Sequence, residues 1–183
     1  MWQFICLEGI DGVGKTTVAR IIARHLGAVY YKSPGGKFAE TRHMVDSNDI
    51  EPLTRYFFYR AATQYDSESI KRILRHSTVV CDRYIYSTFA FHIAMDPRVE
   101  SLIEMTGLMV PDYTFLLTAN EKVRLERLGT RSAVSNLEEN TNLQRKANRL
   151  FLSQGHVVID TSHITACKVA DNILDHLKQK RST

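Results

Sequence analysis

The chain has 183 residues, with 24 Lys and Arg against 20 Asp and Glu, a net charge of +4 and a pI near 9.0. Apolar residues make up 44% and charged residues 24%, which excludes a disordered polymer and suits a single domain spanning residues 1–183. The basic residues are scattered apart from Lys178, Lys180 and Arg181, which argues against nucleic acid as partner, and Cys6, Cys81 and Cys167 lack the spacing of a zinc site or disulfide framework.

Phe4-Ile5-Cys6-Leu7 is an apolar run ending at Gly9, as in a strand buried on both faces of a parallel sheet. Thr16 to Leu26 carries apolar residues at helical spacing and stops at Gly27; Ala28 to Tyr31 predicts a second strand, broken by the loop signal Ser33-Pro34-Gly35-Gly36. Thr54 to Arg75 lacks Gly and Pro and predicts a long helix, and Thr78 to Cys81 predicts a third strand that delivers Asp82 and Arg83 at its end. Residues 85–108 are expected to be helical on both sides of Asp96-Pro97, and Tyr113 to Thr118 is a fourth buried strand. A helix from Asn120 to Leu128, a polar loop from Gly129 to Asn136, a helix over Leu137 to Leu152, a strand over Val157 to Asp160 and a helix over Ala166 to Lys178 complete the chain.

Strands alternating with helices predict an α/β fold with a doubly wound parallel five-stranded sheet, and ligands on such a sheet bind beyond the C-terminal ends of its strands. Gly9, Asp82, Ala119 and Asp160 all stand at such ends. There is no basic leader and no apolar window of transmembrane length, so a cytoplasmic chain without a membrane partner is expected.

Gly9-Ile-Asp-Gly-Val-Gly-Lys15-Thr16 satisfies GxxxxGK[ST] between a predicted strand and a predicted helix, the context that gives this motif its meaning. Its glycines, Gly9, Gly12 and Gly14, let backbone N–H groups of residues 12–17, Val13 and Thr17 among them, turn toward phosphates at the positive end of a helix. Lys15 then neutralises phosphate oxygens and Thr16 offers its hydroxyl to Mg²⁺; Asp82, a strand-end carboxylate, is either a helix cap or a second partner of that metal.

The segments EGIDGVGKTT (8–17), SPGGKFAETR (33–42), YFFYRAATQY (56–65), CDRYIYSTFAF (81–91) and PDYTFLLTANEKVRLERL (111–128) resemble, in order and spacing, the thymidylate kinase family of P-loop nucleoside monophosphate kinases. The resemblance spans about 170 residues and is most specific in the P-loop and in Asp82 to Ala90. It implies transfer of the γ-phosphoryl of ATP to dTMP with Mg²⁺, typically by a homodimer. Asp11 and Arg83 are then expected at the acceptor phosphate and sugar, with Ser87 and Phe91 also lining the acceptor site. Tyr56 takes the place of a ring that stacks on the base and Arg60 that of an arginine bonded to it; the two share a helix face. Phe57 and Phe58 are read as core residues.

Some members of the family place an Arg beside the P-loop Asp, where this chain has Gly12. The positive charge over the moving phosphoryl is therefore expected from a lid at about 129–140, with Arg131 foremost and Arg127 and Arg124 behind it. Arg127 is also placed at the bound ATP.

The family's Arg-Glu-Pro-Gly-Gly reads Lys32-Ser33-Pro34-Gly35-Gly36 here, His92 replaces a common Gln, and Ser135-Asn136-Leu137-Glu138 replaces an Asp-Arg-x-Glu lid pattern. The donor half thus keeps its pattern while the acceptor half is altered. A kinase of the same lineage with another small acceptor, or a nucleotide-binding switch without an acceptor, stand as alternatives.

Overall fold

The computed structural model describes residues 2–47, 49–130 and 136–181. Five parallel strands, β1 (Phe4–Glu8), β2 (Val29–Lys32), β3 (Val79–Asp82), β4 (Tyr113–Thr118) and β5 (Val157–Asp160), form one sheet in the order β2-β3-β1-β4-β5. The middle strand β1 is buried throughout, and its residues alternate between two apolar clusters. Ile5 and Leu7 join Val18 and Ile22 of α1 (Lys15–Leu26) and Ile173 of α8 (Ala166–Arg181). Phe4 and Cys6 join Tyr56 and Ile70 of α3 (Pro52–Ile73) and Phe89 of α4 (Ile85–Met95). A period of two in a strand therefore feeds both helical layers, which is why its sequence reads as an unbroken apolar run.

All five strands and the helices α1, α3 and α8 stand where the sequence pattern predicts them, within two or three residues. One helix has no counterpart among the expectations: α2 (Gly36–Val45), which buries none of its residues and so carries no apolar stripe to betray it. It is held from outside. Arg55 of α3, itself 5% exposed, donates from Nε to the Val45 carbonyl at 2.8 Å and from Nη2 to the Ser47 carbonyl at 2.8 Å.

The expected helix up to residue 108 is corrected. After Asp96, which turns the chain and accepts Arg98 N–H at 3.0 Å, residues 97–102 form a 3₁₀ turn and 103–112 have no regular helix or strand. Gly107, with φ 82, and Pro111 break the helical path, while Tyr56, Arg60 and Ser67 of α3 satisfy backbone groups of Leu102, Thr106 and Met109. Residues 85–93 are largely buried, because α4 packs between α3 and α7 (Thr141–Leu152) within the chain.

Beyond α5 (Glu121–Gly129), the expected helix over 137–152 is two helices. The short α6 (Asn136–Glu139) precedes Asn140, whose side chain caps α7 by accepting Leu143 N–H at 3.0 Å. Residues 131–135 of the expected lid, Arg131 among them, lie outside the described residues. Cys6 and Cys81 are buried free thiols.

Candidate active site

The C-terminal ends of β1 and β3 lie side by side because their register pairs Leu7 with Asp82. The segments leaving the two strands are thereby brought into one place: the loop from Gly9 to Gly14 and the turn Asp82-Arg83-Tyr84. Between them opens a cavity of about 380 Å³, whose other wall comes from α2, α3 and α4.

The loop is shaped for close approach. A side chain at Gly9 would run into the Leu117 carbonyl, and one at Gly12, where φ is +86, would meet Arg124 Cγ at 2.7 Å. Gly14, at φ 93, precedes α1 without a side-chain cap and with open space where a Cβ would stand. The first N–H groups of α1 are therefore left for an anion. Lys15, 6% exposed, donates to the Ile10 carbonyl at 2.6 Å, and burial together with the Arg83 guanidinium pushes its ammonium down to about 7. Thr16 donates its hydroxyl to Asp82 Oδ2 at 2.5 Å, and Tyr30 reaches the same oxygen at 3.2 Å.

Arg83 spans the floor. Its Nη2 pairs with Asp11 Oδ1, its Nη1 donates to the Gly9 carbonyl at 2.9 Å and to Ser87 Oγ at 3.1 Å, and its guanidinium lies 5.1 Å from the Phe91 ring centre. Burial alone would raise the Asp11 carboxyl, but Arg83, Lys15 and the amide of Gln144 at 3.1 Å hold it well below the usual carboxylate range. Gln144 is bidentate, since its Oε1 also accepts the Asp11 N–H at 3.1 Å.

Asp11, Gly12, Gly14, Lys15, Thr16, Thr17, Asp82, Arg83, Ser87 and Phe91 all line the cavity. Two expected acceptor residues do not. Tyr56 is buried in the second apolar cluster with its hydroxyl on the Leu102 carbonyl, and Arg60 reaches outward to the Thr106 carbonyl. They share a helix face, but a different one: the face of α3 that meets the cavity carries Arg55 and Tyr59, also spaced i, i+4. Phe57 is 56% exposed and is no core residue, whereas Phe58 packs against Phe38 and Tyr59. Gly9 and Val13 back the loop without lining the cavity. Arg127 stands behind it too, donating to the Thr161 hydroxyl at 2.9 Å and carbonyl at 2.8 Å, while that hydroxyl donates to the Val13 carbonyl at 3.0 Å.

Sequence reasoning missed Glu8, Gln144, Arg42, Asp46 and Tyr59. Glu8 had a legible signal, a carboxylate ending an otherwise apolar strand. The rest had none, because α2, α3 and α7 are brought to the site only by the tertiary fold. At the far end Tyr59 donates to Asp46 at 2.8 Å, and Asp46 also pairs with Arg42 Nε at 3.1 Å. His92, 3% exposed, donates from Nδ1 to the Thr88 carbonyl at 2.6 Å and has rings of Tyr56 and Tyr59 beside it.

Residues 7–172 match the family model described as thymidylate kinase. The chain belongs to the thymidylate kinase family. Among its relatives are a probable thymidylate kinase of Methanococcus aeolicus, 25% identical over 99% of this chain and 98% of that one, and a thymidylate kinase of Neorickettsia sennetsu, 34% identical over 68% and 70%. The thymidylate kinase of Candida albicans shares the fold, with a TM-score of 0.77 at 20% identity over 98% of this chain and 92% of that chain. As a member of the thymidylate kinase family the chain is an ATP-dependent nucleotide kinase of the P-loop α/β class. Among the described residues no helix is long and apolar enough to cross a membrane.

Burial pushes His92 from its ordinary 6.5 down to about 4, so the folded protein keeps it neutral where the unfolded chain takes up a proton. Stability from this source is complete above pH 6.5 and is lost as pH falls toward 4. Denaturant unfolding across that window should show a shallower pH slope for His92→Gln than for the wild type; equal slopes would show that His92 does not titrate in this way.

Proposed function

We propose that the chain transfers the γ-phosphoryl of Mg-ATP to dTMP, and that the cavity between the P-loop and Arg83 holds the two phosphate groups that react. The observation that carries this reading is the arrangement at the floor: uncapped α1 N–H groups and Lys15 on one side, and Arg83, oriented by Asp11 and Ser87, on the other. Two phosphate-bearing ligands repel each other, and a site that brings them together must supply fixed positive charge to both.

On this reading the backbone N–H groups of residues 12–17 and Lys15 hold the donor phosphates, with Arg127 behind the loop on the donor side. Thr16 and Asp82 offer hard oxygen donors of the kind Mg²⁺ takes, and their hydrogen bond already sets them side by side. Bound there, Mg²⁺ would neutralise phosphate oxygens and align the donor. Arg83 binds the acceptor phosphate, one oxygen of which attacks the γ-phosphorus while the bond to the bridging oxygen breaks and ADP leaves. The acceptor oxygen is already ionised, so no general base has to remove its proton, and Asp11 serves to orient Arg83 and the acceptor. Arg131 remains the proposed cover for the moving phosphoryl. Phe91 takes the sugar, and the end lined by Tyr59, His92 and Met95 takes the base. The reading also includes a cytoplasmic location and a homodimer, for which exposed Phe57 and Leu102 offer apolar contact area; sedimentation at micromolar concentration should give twice the chain mass, and a monomer there rejects the dimer.

An ADP-release assay with Mg-ATP against dTMP, dUMP, UMP, CMP, AMP, GMP and thymidine should give turnover with dTMP foremost. Arg83→Ala should raise the acceptor KM and lower kcat at nearly unchanged ATP affinity. Equal weakening of ATP would remove Arg83 from the acceptor, and turnover with another acceptor in preference to dTMP would overturn the substrate.

Lys15 at about 7 is only partly protonated at neutral pH, and an adjacent polyphosphate favours its charged form. ATP binding at pH 7.5 should therefore take up protons, read by calorimetry in buffers of different ionisation enthalpy. In Lys15→Arg, which stays charged, that uptake should vanish; its persistence would assign the proton to another group.

A further inference from the structure

The last residue of β1 is a carboxylate after Phe, Ile, Cys and Leu, and it is fully buried. A buried carboxylate persists only where donors replace its hydration shell. For Glu8 most come from the start of α4: Oε1 accepts the Tyr84 N–H at 2.9 Å and the Ser87 N–H at 3.2 Å, and Oε2 accepts the Ser87 hydroxyl at 2.5 Å, while the Cys6 thiol of its own strand donates to Oε1 at 3.7 Å. Tyr84 is the N-cap of α4 and caps it with no side chain of its own. The acceptor and the negative charge that a helix N-terminus favours are thus supplied by a different element, the neighbouring strand.

The same hydroxyl leads on to Arg83. Ser87 Oγ has one proton and gives it to Glu8, which turns its lone pairs toward Arg83 Nη1 at 3.1 Å. The Arg83 backbone stands at φ 66, a left-handed conformation that a residue with a Cβ keeps only when its surroundings hold it. Three bonds do so: the Arg83 N–H on the Leu7 carbonyl at 3.0 Å, the Cys81 thiol on the Arg83 carbonyl at 2.9 Å, and the next N–H, that of Tyr84, on Glu8.

We propose that Glu8 is a positioning residue for phosphoryl transfer, which through the Ser87 hydroxyl and the Tyr84 amide sets the rotamer and the left-handed backbone of Arg83. The edge of the guanidinium offered to the acceptor phosphate is then fixed before the nucleotide binds, and the ordering cost is met in folding, not at each turnover. This rests on the reading of Arg83 as the ligand of the acceptor phosphate. Glu8→Gln isolates the effect. Its Oε1 still accepts both backbone N–H groups, but its amide nitrogen donates where Oε2 accepted. Ser87 Oγ must then accept from the amide, and its proton turns toward Arg83, which is itself a donor.

Steady-state kinetics at saturating Mg-ATP, with dTMP varied, should be measured for Glu8→Gln, Ser87→Ala, the double variant and Arg83→Ala. Glu8→Gln should lower kcat/KM for dTMP by about tenfold in the wild-type background and by less than about twofold when Ser87 is already Ala, with the ATP KM unchanged throughout. An equal loss in both backgrounds marks a merely structural carboxylate and overturns the proposal. Wild-type acceptor kinetics in Glu8→Gln, beside a clear defect in Arg83→Ala, overturns the role of Glu8 alone, whereas an unaffected Arg83→Ala overturns the placement of Arg83 and this proposal with it. If Glu8→Gln does not fold, Ser87→Ala carries the test, because it removes the relay and leaves both backbone bonds to Glu8. It should raise the acceptor KM and not the ATP KM, and wild-type acceptor kinetics overturns the proposal.

Discussion

Lys15 and Arg83 carry positive charge into the floor of one cavity, and neither is surrounded by water. Removing an ion from water costs several kcal/mol even after relaxation, and that cost is met only by opposite charge and hydrogen bonds in good geometry. Here the opposite charge is Asp11, Asp82 and the buried Glu8, all delivered by the C-terminal ends of β1 and β3. The parallel register that pairs Leu7 with Asp82 is therefore the constraint on which the site depends. A shift of one residue along either strand would point Glu8 at the opposite layer and leave Arg83 without its partners.

Within this arrangement the charges divide their work. Asp11 lies between Arg83 and Gln144 and stays ionised against its own burial, and its ion pair fixes one edge of the Arg83 guanidinium. Among the described residues Lys15 has no carboxylate as a direct hydrogen-bond partner, only the Ile10 carbonyl, and it is accordingly the cation whose charge is least secured before a polyphosphate arrives. Gly12 lies so close to Arg124 that the position has room for no side chain. That crowding gives a local physical reason for glycine there, whatever group covers the transferring phosphoryl.

The far end of the cavity follows a different logic. Arg55 is committed to carbonyls at the end of α2, and Tyr59 and Arg42 to Asp46, so this wall is a hydrogen-bonded support more than a set of free donors. The expected pair Tyr56 and Arg60 failed for a rotational reason: on a helix of 3.6 residues per turn, a displacement of one position turns a side chain by about 100°. The i, i+4 spacing was legible, but which i faced the cavity depended on how α3 packs against β3 and α4. Tyr56 goes to the apolar cluster because Phe4 and Tyr84 leave a buried slot there, and Arg55 turns inward because α2 presents carbonyls to it.

The sequence by itself determined the alternation of strands and helices, the parallel sheet and the P-loop, since each rests on local periodicity or on residue types whose backbone chemistry is their own. It also determined that Asp82 and Arg83 stand at a strand end, where such sheets bind ligands. Only the tertiary structure decided that Glu8 turns toward the start of α4, that Gln144 reaches the P-loop from 133 residues away, and that α2 forms without an apolar stripe. These are contacts between elements remote in sequence, and no periodicity within one element records which neighbour will supply its missing donor or acceptor.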